Sequence, residues 1–419
     1  MTHTSYTLDD CHALDAQDPL APMRDHFNLP DGMIYLDGNS LGAQPKSAVS
    51  RMEKLLTTEW GQDLIKSWNT AGWVTLPQTI GRKIAPLIGA GPDNVVTADS
   101  TSINIFKCVA AACAKIQTKD PKRRKILSEP GNFPTDLYML EGLTGFMKGE
   151  FELVTKPRDQ LVDAIDHETA CVLLTHVHYV TAEMWDMKKV TEAAHAKGAM
   201  MVWDLSHSVG AVPVDLDGAN ADFALGCGYK YLNGGPGAPA FVYVNSRHLQ
   251  DLNQPLSGWF AHKRPFDFTD HFESAGDIRM MQVGTPVVSA ASLLDEALNL
   301  WQDMDMAEIR KKSLALTDLF RNLMEDHLAN YGFTCVTPEN QSVRGSHITY
   351  KHKEGYAIMQ ALIDHQVVGD FRAPDHLRFG VTPLYVGYAD IFHAVMTLKD
   401  IMEQETYKKS CYQTRHAVT

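Results

Sequence analysis

No two cysteines in this chain stand in a CxxC spacing. The seven present (Cys11, Cys108, Cys113, Cys171, Cys227, Cys335, Cys411) are odd in number and scattered, which excludes a disulfide framework or a zinc knuckle as the organising device. Positive charge is scarce too. Lys and Arg number 38 against 51 Asp and Glu, a formal net charge of −13, which argues against nucleic acid or an anionic membrane as the main partner. The one basic run, Lys122-Arg123-Arg124-Lys125, leads straight into Ile126-Leu127-Ser128 and reads as a solvated strand entry. No apolar stretch has the length of a membrane span, and Met1 to Asp25 is acidic without the apolar centre of a secretory signal. Repeats and low-complexity tracts are missing as well. The expectation is a soluble, cytoplasmic protein of a reducing compartment.

What is present is an ordinary globular composition, 44% hydrophobic and 21% charged over 419 residues, long enough for two domains. From about residue 50 to 250, strand-like and helix-like patterns alternate, which predicts an α/β domain with a mostly parallel sheet covered on both faces. The expected strands are Asn94–Thr97, Lys125–Ser128, Ala170–Thr175, Ala199–Asp204, Ala221–Leu225 and Ala238–Val244, the last running antiparallel because it follows its neighbour so closely. Thr101–Ile116 and Met187–Ala196 read as amphipathic helices. Beyond residue 289 come long helical patterns, then strand (Ser346–Tyr350), helix (Tyr356–His365), strand (Leu377–Gly380) and helix (Tyr388–Gln404). The boundaries expected are a large domain over 51–290 and a smaller α/β domain built from 1–50 together with 291–419.

Two residues carry the chemistry. Asp204 ends the apolar run Met200-Met201-Val202-Trp203, so a buried strand delivers a carboxylate at its C-terminal edge, where open α/β sheets place ligands. Lys230 lies between a second apolar run and the turn Asn233-Gly234-Gly235-Pro236-Gly237. A lysine so placed is suited to form an imine with an aldehyde cofactor, and a carboxylate suits that cofactor's ring nitrogen; pyridoxal phosphate is the group that needs both. Asp204 as a helix cap with Lys230 as a snorkelling side chain is the competing reading, and the pair in its context outweighs it. Ser100-Thr101-Ser102 opens a helix after a strand, which makes an anion site for the phosphate or a simple N-cap. Tyr229 is a candidate for a phosphate contact or a proton transfer. In Gly131-Asn132-Phe133-Pro134-Thr135-Asp136, Phe133 could stack on the cofactor and Asp136 bond its edge, against a plain turn with a helix cap. His176 and His178, read as one face of a strand, have a spacing that zinc uses, with His207 nearby, but no third carboxylate or thiolate ligand accompanies them and no metal is expected. Arg378, mid-strand among apolar neighbours, needs an anion: a substrate carboxylate or a structural acid. Trp68, Trp73, Trp259 and Phe260 are core packing or walls for an aromatic substrate.

Together the blocks Tyr35-Leu36-Asp37-Gly38-Asn39-Ser40-Leu41-Gly42, Ser67-Trp68 to Trp73, Asn132 to Asp136, Trp203-Asp204-Leu205-Ser206-His207-Ser208, Tyr229-Lys230 to Gly237 and Ser257-Gly258-Trp259-Phe260 resemble kynureninase, in order and nearly throughout the chain. The resemblance implies the aspartate aminotransferase-like fold (fold type I), with a seven-stranded-type sheet in the large domain. It implies a homodimer with shared active sites and hydrolysis of L-kynurenine to anthranilate and L-alanine, a step of tryptophan degradation. It further implies Lys230, Tyr229 and Asp204 as catalytic. Thr101, Ser102, Phe133, Asp136, His207, Trp259 and Thr285 would join these three around the cofactor or its phosphate, and Arg378, Trp68, Asn39 and Ser40 would hold the substrate. Trp68 and Gly284-Thr285 look like the bacterial type, which favours kynurenine over its 3-hydroxy derivative. The chain departs from the family pattern at His178, Val180 and Ala182, at Gly228 where Ser or Thr is usual, and at Ala238-Pro239. A cysteine desulfurase-like lyase is the alternative, but it needs a reactive cysteine on a loop near the small domain, and Gln341–Gly345 holds none. A non-enzymatic relic of the fold is the other, and intact Lys230, Asp204 and Arg378 speak against it.

Overall fold

Runs of β-branched, aliphatic and aromatic residues bounded by Gly, Asp and Ser become the strands of one sheet. In the computed structural model, which describes residues 6–415, these are β1 (Val95–Thr97), β2 (Lys125–Ser128), β3 (Glu152–Thr155), β4 (Thr169–Thr175), β5 (Met200–Asp204), β6 (Phe223–Gly226) and β7 (Phe241–Val244). Their order across the sheet is β1-β7-β6-β5-β4-β2-β3. β7 runs antiparallel to both β1 and β6, and every other pairing is parallel. Every residue of β4, β5, β6 and β7 is buried, the condition of a sheet with both faces covered.

Two details of this sheet differ from the sequence reading. β3 went unpredicted: it is a half-exposed edge strand of four residues paired only to β2, so its pattern carries little apolar signal. β7 begins at Phe241 rather than Ala238, because 238–240 is drawn into the site, with the Ala240 N–H bonded to the Asp99 carbonyl at 3.0 Å.

The helix Thr101–Lys119 starts on a Ser100 cap, whose hydroxyl accepts from the Ile103 N–H, and buries Ile105, Cys108, Val109, Ala112 and Cys113 against β4, β5 and β6. A second, antiparallel sheet holds β8 (Thr334–Cys335), β9 (His347–Lys351), β10 (Asp370–Arg372) and β11 (His376–Gly380) in the order β8-β9-β11-β10, beside the helices Met306–Leu328, Gly355–Asp364 and Tyr388–Glu403. The N-terminal residues join this part of the molecule. The helix Leu8–Ala16 packs on Tyr388–Glu403, where the Asp15 carboxylate caps the N–H groups of Tyr388 and Ala389 at 2.7 and 2.9 Å. Ile34–Tyr35 pairs in parallel with Val367–Val368. The helix Val288–Ala297 instead packs on Ser47–Lys54 and Leu76–Ile84.

One connection positions the site. Asp37 bridges to Gly380 at the end of β11, and five residues on, the Gly42 N–H donates to the Tyr229 carbonyl at 2.8 Å. Gly380 permits this approach, since a Cβ there would stand 2.0 Å from Asn39 Oδ1. The segment 37–42 therefore spans the gap between the arginine-bearing strand of the small sheet and the lysine turn of the large one.

Candidate active site

β1, β4, β5 and β6 all point their C-terminal ends into one cavity of about 460 Å³, as the switch-point rule for open α/β sheets requires. Its walls carry Thr101, Ser102, Phe133, Asp136, Asp204, His207, Tyr229 and Lys230. Eight residues expected from four separate stretches of sequence are thus brought together.

Asp204, at the tip of β5, is buried, and its Oδ1 accepts from the Ser206 N–H and Oγ at 2.8 and 2.6 Å. Asp136 comes from the first turn of the helix Pro134–Phe146, and its Oδ2 accepts from Thr175 Oγ1 at 3.1 Å while Oδ1 has no partner. Burial raises both carboxyls, and the neighbouring Asp204 charge raises Asp136 further. Two buried acids, one with an unpartnered oxygen, form a receptor for a cationic N–H. Lys230 Nζ lies 2.9 Å from His207 Nε2 and 5.8 Å from the centre of the Phe133 ring. Burial, then the positive field of Lys230, holds the His207 ring far below the usual imidazole range, so a neutral imidazole sits beside the lysine. Burial lifts the Tyr229 phenol well above its ordinary value, with Cys227 adding to the shift; at neutral pH Tyr229 carries its proton.

At the opposite end, the Thr101 and Ser102 hydroxyls sit with the free N–H groups of a 19-residue helix, an anion cradle. A chain of contacts links this end to the carboxylate: Thr101 Oγ1 to Cys227 Sγ at 3.3 Å, Cys227 Sγ to Ser206 Oγ at 3.2 Å, and Ser206 to Asp204. Cys227 was not foreseen as part of the site, and a cysteine three residues before the lysine is the signal that could have flagged it. The departures at Gly228 and Ala238-Pro239 turn out to be one feature. A Cβ at 228 would meet the Pro239 carbonyl at 2.5 Å, Leu294 Cδ2 at 2.7 Å and Ala238 Cβ at 3.4 Å, so Pro239 and its neighbours occupy the space a side chain would need.

Arg378 on β11 is buried and meets a structural acid, one of the two partners that the sequence reading left open. Its Nε donates to Asp370 Oδ1 at 2.8 Å, a second nitrogen bonds Asp370 Oδ2, and Nη2 reaches Ser40 Oγ at 2.9 Å. Burial favours the neutral guanidine, but the Asp370 carboxylate outweighs it and raises Arg378. Arg372 adds a second cation, 2.7 Å from Asp370 Oδ2. Asp37, pushed up to about 7 by burial and by the Asp370 charge, completes the group. Asn39 is fully buried next to Gly380, with neither side-chain polar atom partnered. His347 lies between the two halves: its ring centre is 5.7 Å from that of His207, and its strand neighbour on β11 is Gly380. Asp370 and Arg372 escaped the sequence reading because β10 is three residues long and nothing in the sequence pairs it with β11, and His347 escaped it although its strand was expected.

Arg378, Asn39 and Ser40 form this adjoining network rather than the cavity lining, and three further expected residues belong to neither. Trp68 packs against Trp73 and Phe260, with ring centres at 5.9 and 6.1 Å, and Trp259 stacks edge-on to Phe260 at 4.5 Å; neither Trp68, Trp259 nor the exposed Thr285 lines the cavity of its own chain. The histidines do not share a strand face, since β4 stops at Thr175. His176 turns into the core to Ser208 Oγ at 2.9 Å, whereas His178 Nε2 meets the Gly131 carbonyl at 2.9 Å. Among the described residues no cluster of three or more His, Cys, Asp or Glu is arranged to hold a metal ion.

Comparison with known proteins agrees with this geometry. Residues 309–398 match the family model described as the kynureninase C-terminal domain. The chain is 48% identical to the kynureninase of Pseudomonas fluorescens over 415 residues, covering 99% of this chain and 100% of that protein. It is 49% identical to the kynureninase of Burkholderia mallei with the same coverage. Among solved structures, a cysteine desulfurase from Escherichia coli superposes with a TM-score of 0.75 at 20% identity, covering 92% of this chain and 98% of that one. A cysteine desulfurase from Thermococcus onnurineus gives 0.76 at 16% identity, covering 91% and 98%. At these identities the two structures establish the fold alone, which is α/β with the seven-stranded mixed sheet described above.

Proposed function

The chain belongs to the kynureninase family, and from that premise we propose that it is a pyridoxal phosphate enzyme hydrolysing L-kynurenine to anthranilate and L-alanine, with 3-hydroxykynurenine a weaker substrate. The observation that carries this reading is the single cavity with an anion cradle at one end, a buried acid pair at the other and Lys230 between them. The residues fit the cofactor. Thr101 and Ser102 would hold its phosphate, Phe133 would cover a ring face, and Asp204 with the unpartnered Asp136 Oδ1 would receive the ring N–H. The bound group supplies an electron sink for the bond electrons released at the substrate α-carbon.

The chain's own residues do the rest. Arg378, fixed by Asp370 and Ser40, grips the substrate carboxylate and orients the α-carbon substituents. Lys230 Nζ takes the α-proton, and the neutral His207 at 2.9 Å accepts a hydrogen bond from it without competing as a cation. Water adds to the γ-carbonyl carbon, the Cβ–Cγ bond breaks to release anthranilate, and the protonated Tyr229 phenol donates to the β-carbon. Water is the only co-reactant, and its atoms end in the anthranilate carboxylate and in alanine.

A homodimer with shared sites accounts for Trp259 and Thr285 standing exposed outside their own cavity, alongside exposed Phe266 (55%) and Phe268 (76%), apolar surface that suits a subunit contact. The proposed division is a large domain over 51–290 and a small one of 1–50 with 291–419. A cytoplasmic setting suits seven cysteines that are all unpaired, and among the described residues no helix is long and apolar enough to cross a membrane. The desulfurase alternative is disfavoured: Cys335, at the small domain, is tied to the Thr337 carbonyl and lies outside the cavity.

The test is to supply the purified protein with pyridoxal phosphate and both substrates and follow fluorescent anthranilate. Activity on kynurenine that disappears in Lys230→Ala is expected. No product from the wild type, or near-normal turnover by the variant, overturns the reading.

A further inference from the structure

The anion cradle contains an anion of its own. Asp99 immediately precedes Ser100-Thr101-Ser102 and lines the same cavity, and its side chain is 30% exposed. Its backbone is left-handed (φ 48°), a conformation Asp tolerates better than most residues, and its carbonyl is pinned by the Ala240 N–H. A lone carboxylate here would oppose a phosphate dianion.

Lys107 stands behind it. Two turns into the helix Thr101–Lys119, its side chain has no solvent exposure, and its Nζ lies 2.7 Å from Asp99 Oδ2. The same ammonium donates to the Met281 carbonyl, which anchors it at the end of the turn Ile278–Met281. Burial alone would drive the lysine toward its neutral form, and Asp99 counters that. The lysine's charge therefore leans on the acid, and of the two only the acid lines the cavity.

We propose that Lys107 is a positioning residue for the cofactor phosphate: by pairing with Asp99 from within the fold it neutralises the one negative charge in the cradle and so sets phosphate affinity. This rests on the cofactor reading above. A purely structural ion pair predicts something different, namely that breaking it from either side harms folding alike and leaves anion affinity to follow the fraction folded.

The experiment compares the apo forms of the wild type, Lys107→Met, Asp99→Asn and the double variant. Each is titrated with pyridoxal phosphate, read by visible absorbance, and with inorganic phosphate, read by thermal shift. Lys107→Met is expected to bind both ligands at least ~10-fold more weakly, because an uncompensated carboxylate then faces the dianion. Asp99→Asn is expected to bind phosphate at least as tightly as the wild type, with a larger phosphate-dependent rise in Tm, since the ligand then partners a buried ammonium. The double variant should return to within a few-fold of the wild type. A Lys107→Met protein with unchanged affinity, a double variant as weak as Lys107→Met, or an Asp99→Asn protein that binds phosphate less tightly than the wild type would each overturn the proposal. Should Lys107→Met fail to fold, the Asp99→Asn titration alone decides. Failure of the cofactor reading is separable, because the wild type would then develop no absorbance band with pyridoxal phosphate.

Discussion

Ala182 shows how a single residue can carry strain that its neighbours maintain. It is buried at φ 60°, a region that favours glycine, with its N–H bonded to the His178 carbonyl at 2.9 Å and its carbonyl to the Gly345 N–H at 2.7 Å. A Cβ in this conformation costs about 1–2 kcal/mol, offset in part by the greater chain entropy of glycine in the unfolded state. Ala182→Gly is therefore expected to stabilise the protein by roughly 0.5–1 kcal/mol, read as a raised urea midpoint. An unchanged or lowered midpoint would mean that the loop relaxes around the alanine. The loop bears on the site, since the Val180 carbonyl accepts from Thr349 Oγ1 at 2.6 Å and the Tyr179 carbonyl from Arg378.

At the scale of elements, the turn that carries Lys230 is shaped by what packs behind it. With the Pro239 carbonyl, Leu294 and Ala238 crowding position 228, Gly228→Ser forces either the turn or the helix Val288–Ala297 to move. Overpacking of this kind costs about 1–3 kcal/mol. The expected outcome is a lower Tm together with weaker cofactor retention on dialysis, because the shift falls two residues from Lys230. A variant that melts and retains cofactor like the wild type would show the turn to be free to adjust. Elements also explain why some expectations held and others did not. β5 and β6 were legible because Met200–Trp203 and Phe223–Leu225 are apolar without interruption. β3 and β10 were not, since an edge strand and a three-residue strand owe their pairing to a neighbour rather than to their own pattern.

For the whole molecule, buried histidines couple stability to acid. Burial holds His176 down to about 4 in the folded chain against 6.5 as its ordinary value. Below pH 6.5 the unfolded chain binds a proton that the folded chain refuses until about pH 4, so stability falls as pH drops through that window. The contribution is about 2 kcal/mol between pH 7 and pH 5. Urea unfolding at several pH values should give a shallower pH slope for His176→Asn than for the wild type; equal slopes would remove this histidine from the account. Assembly is testable at the same scale. If Trp259 serves the partner's cavity, mixing Lys230→Ala with Trp259→Ala should rebuild one intact site per mixed dimer and recover up to about a quarter of wild-type activity. No recovery after subunit exchange would place Trp259 in service of its own chain.

Residue types and their immediate neighbours were enough to identify Asp204 at a strand end, Lys230 before a glycine turn, hydroxyls at a helix start and the alternation that makes an α/β sheet. These are local facts, written in periodicity and in chemistry that few other contexts need. The mutual influence of Asp136 and Asp204, the union of Gly228 with Pro239, the hold of Asp370 on Arg378 and the placing of Trp259 outside its own cavity were decided only in three dimensions. Each depends on groups far apart in the chain meeting in a buried space, where the low dielectric and close packing that fix their behaviour arise from the fold as a whole.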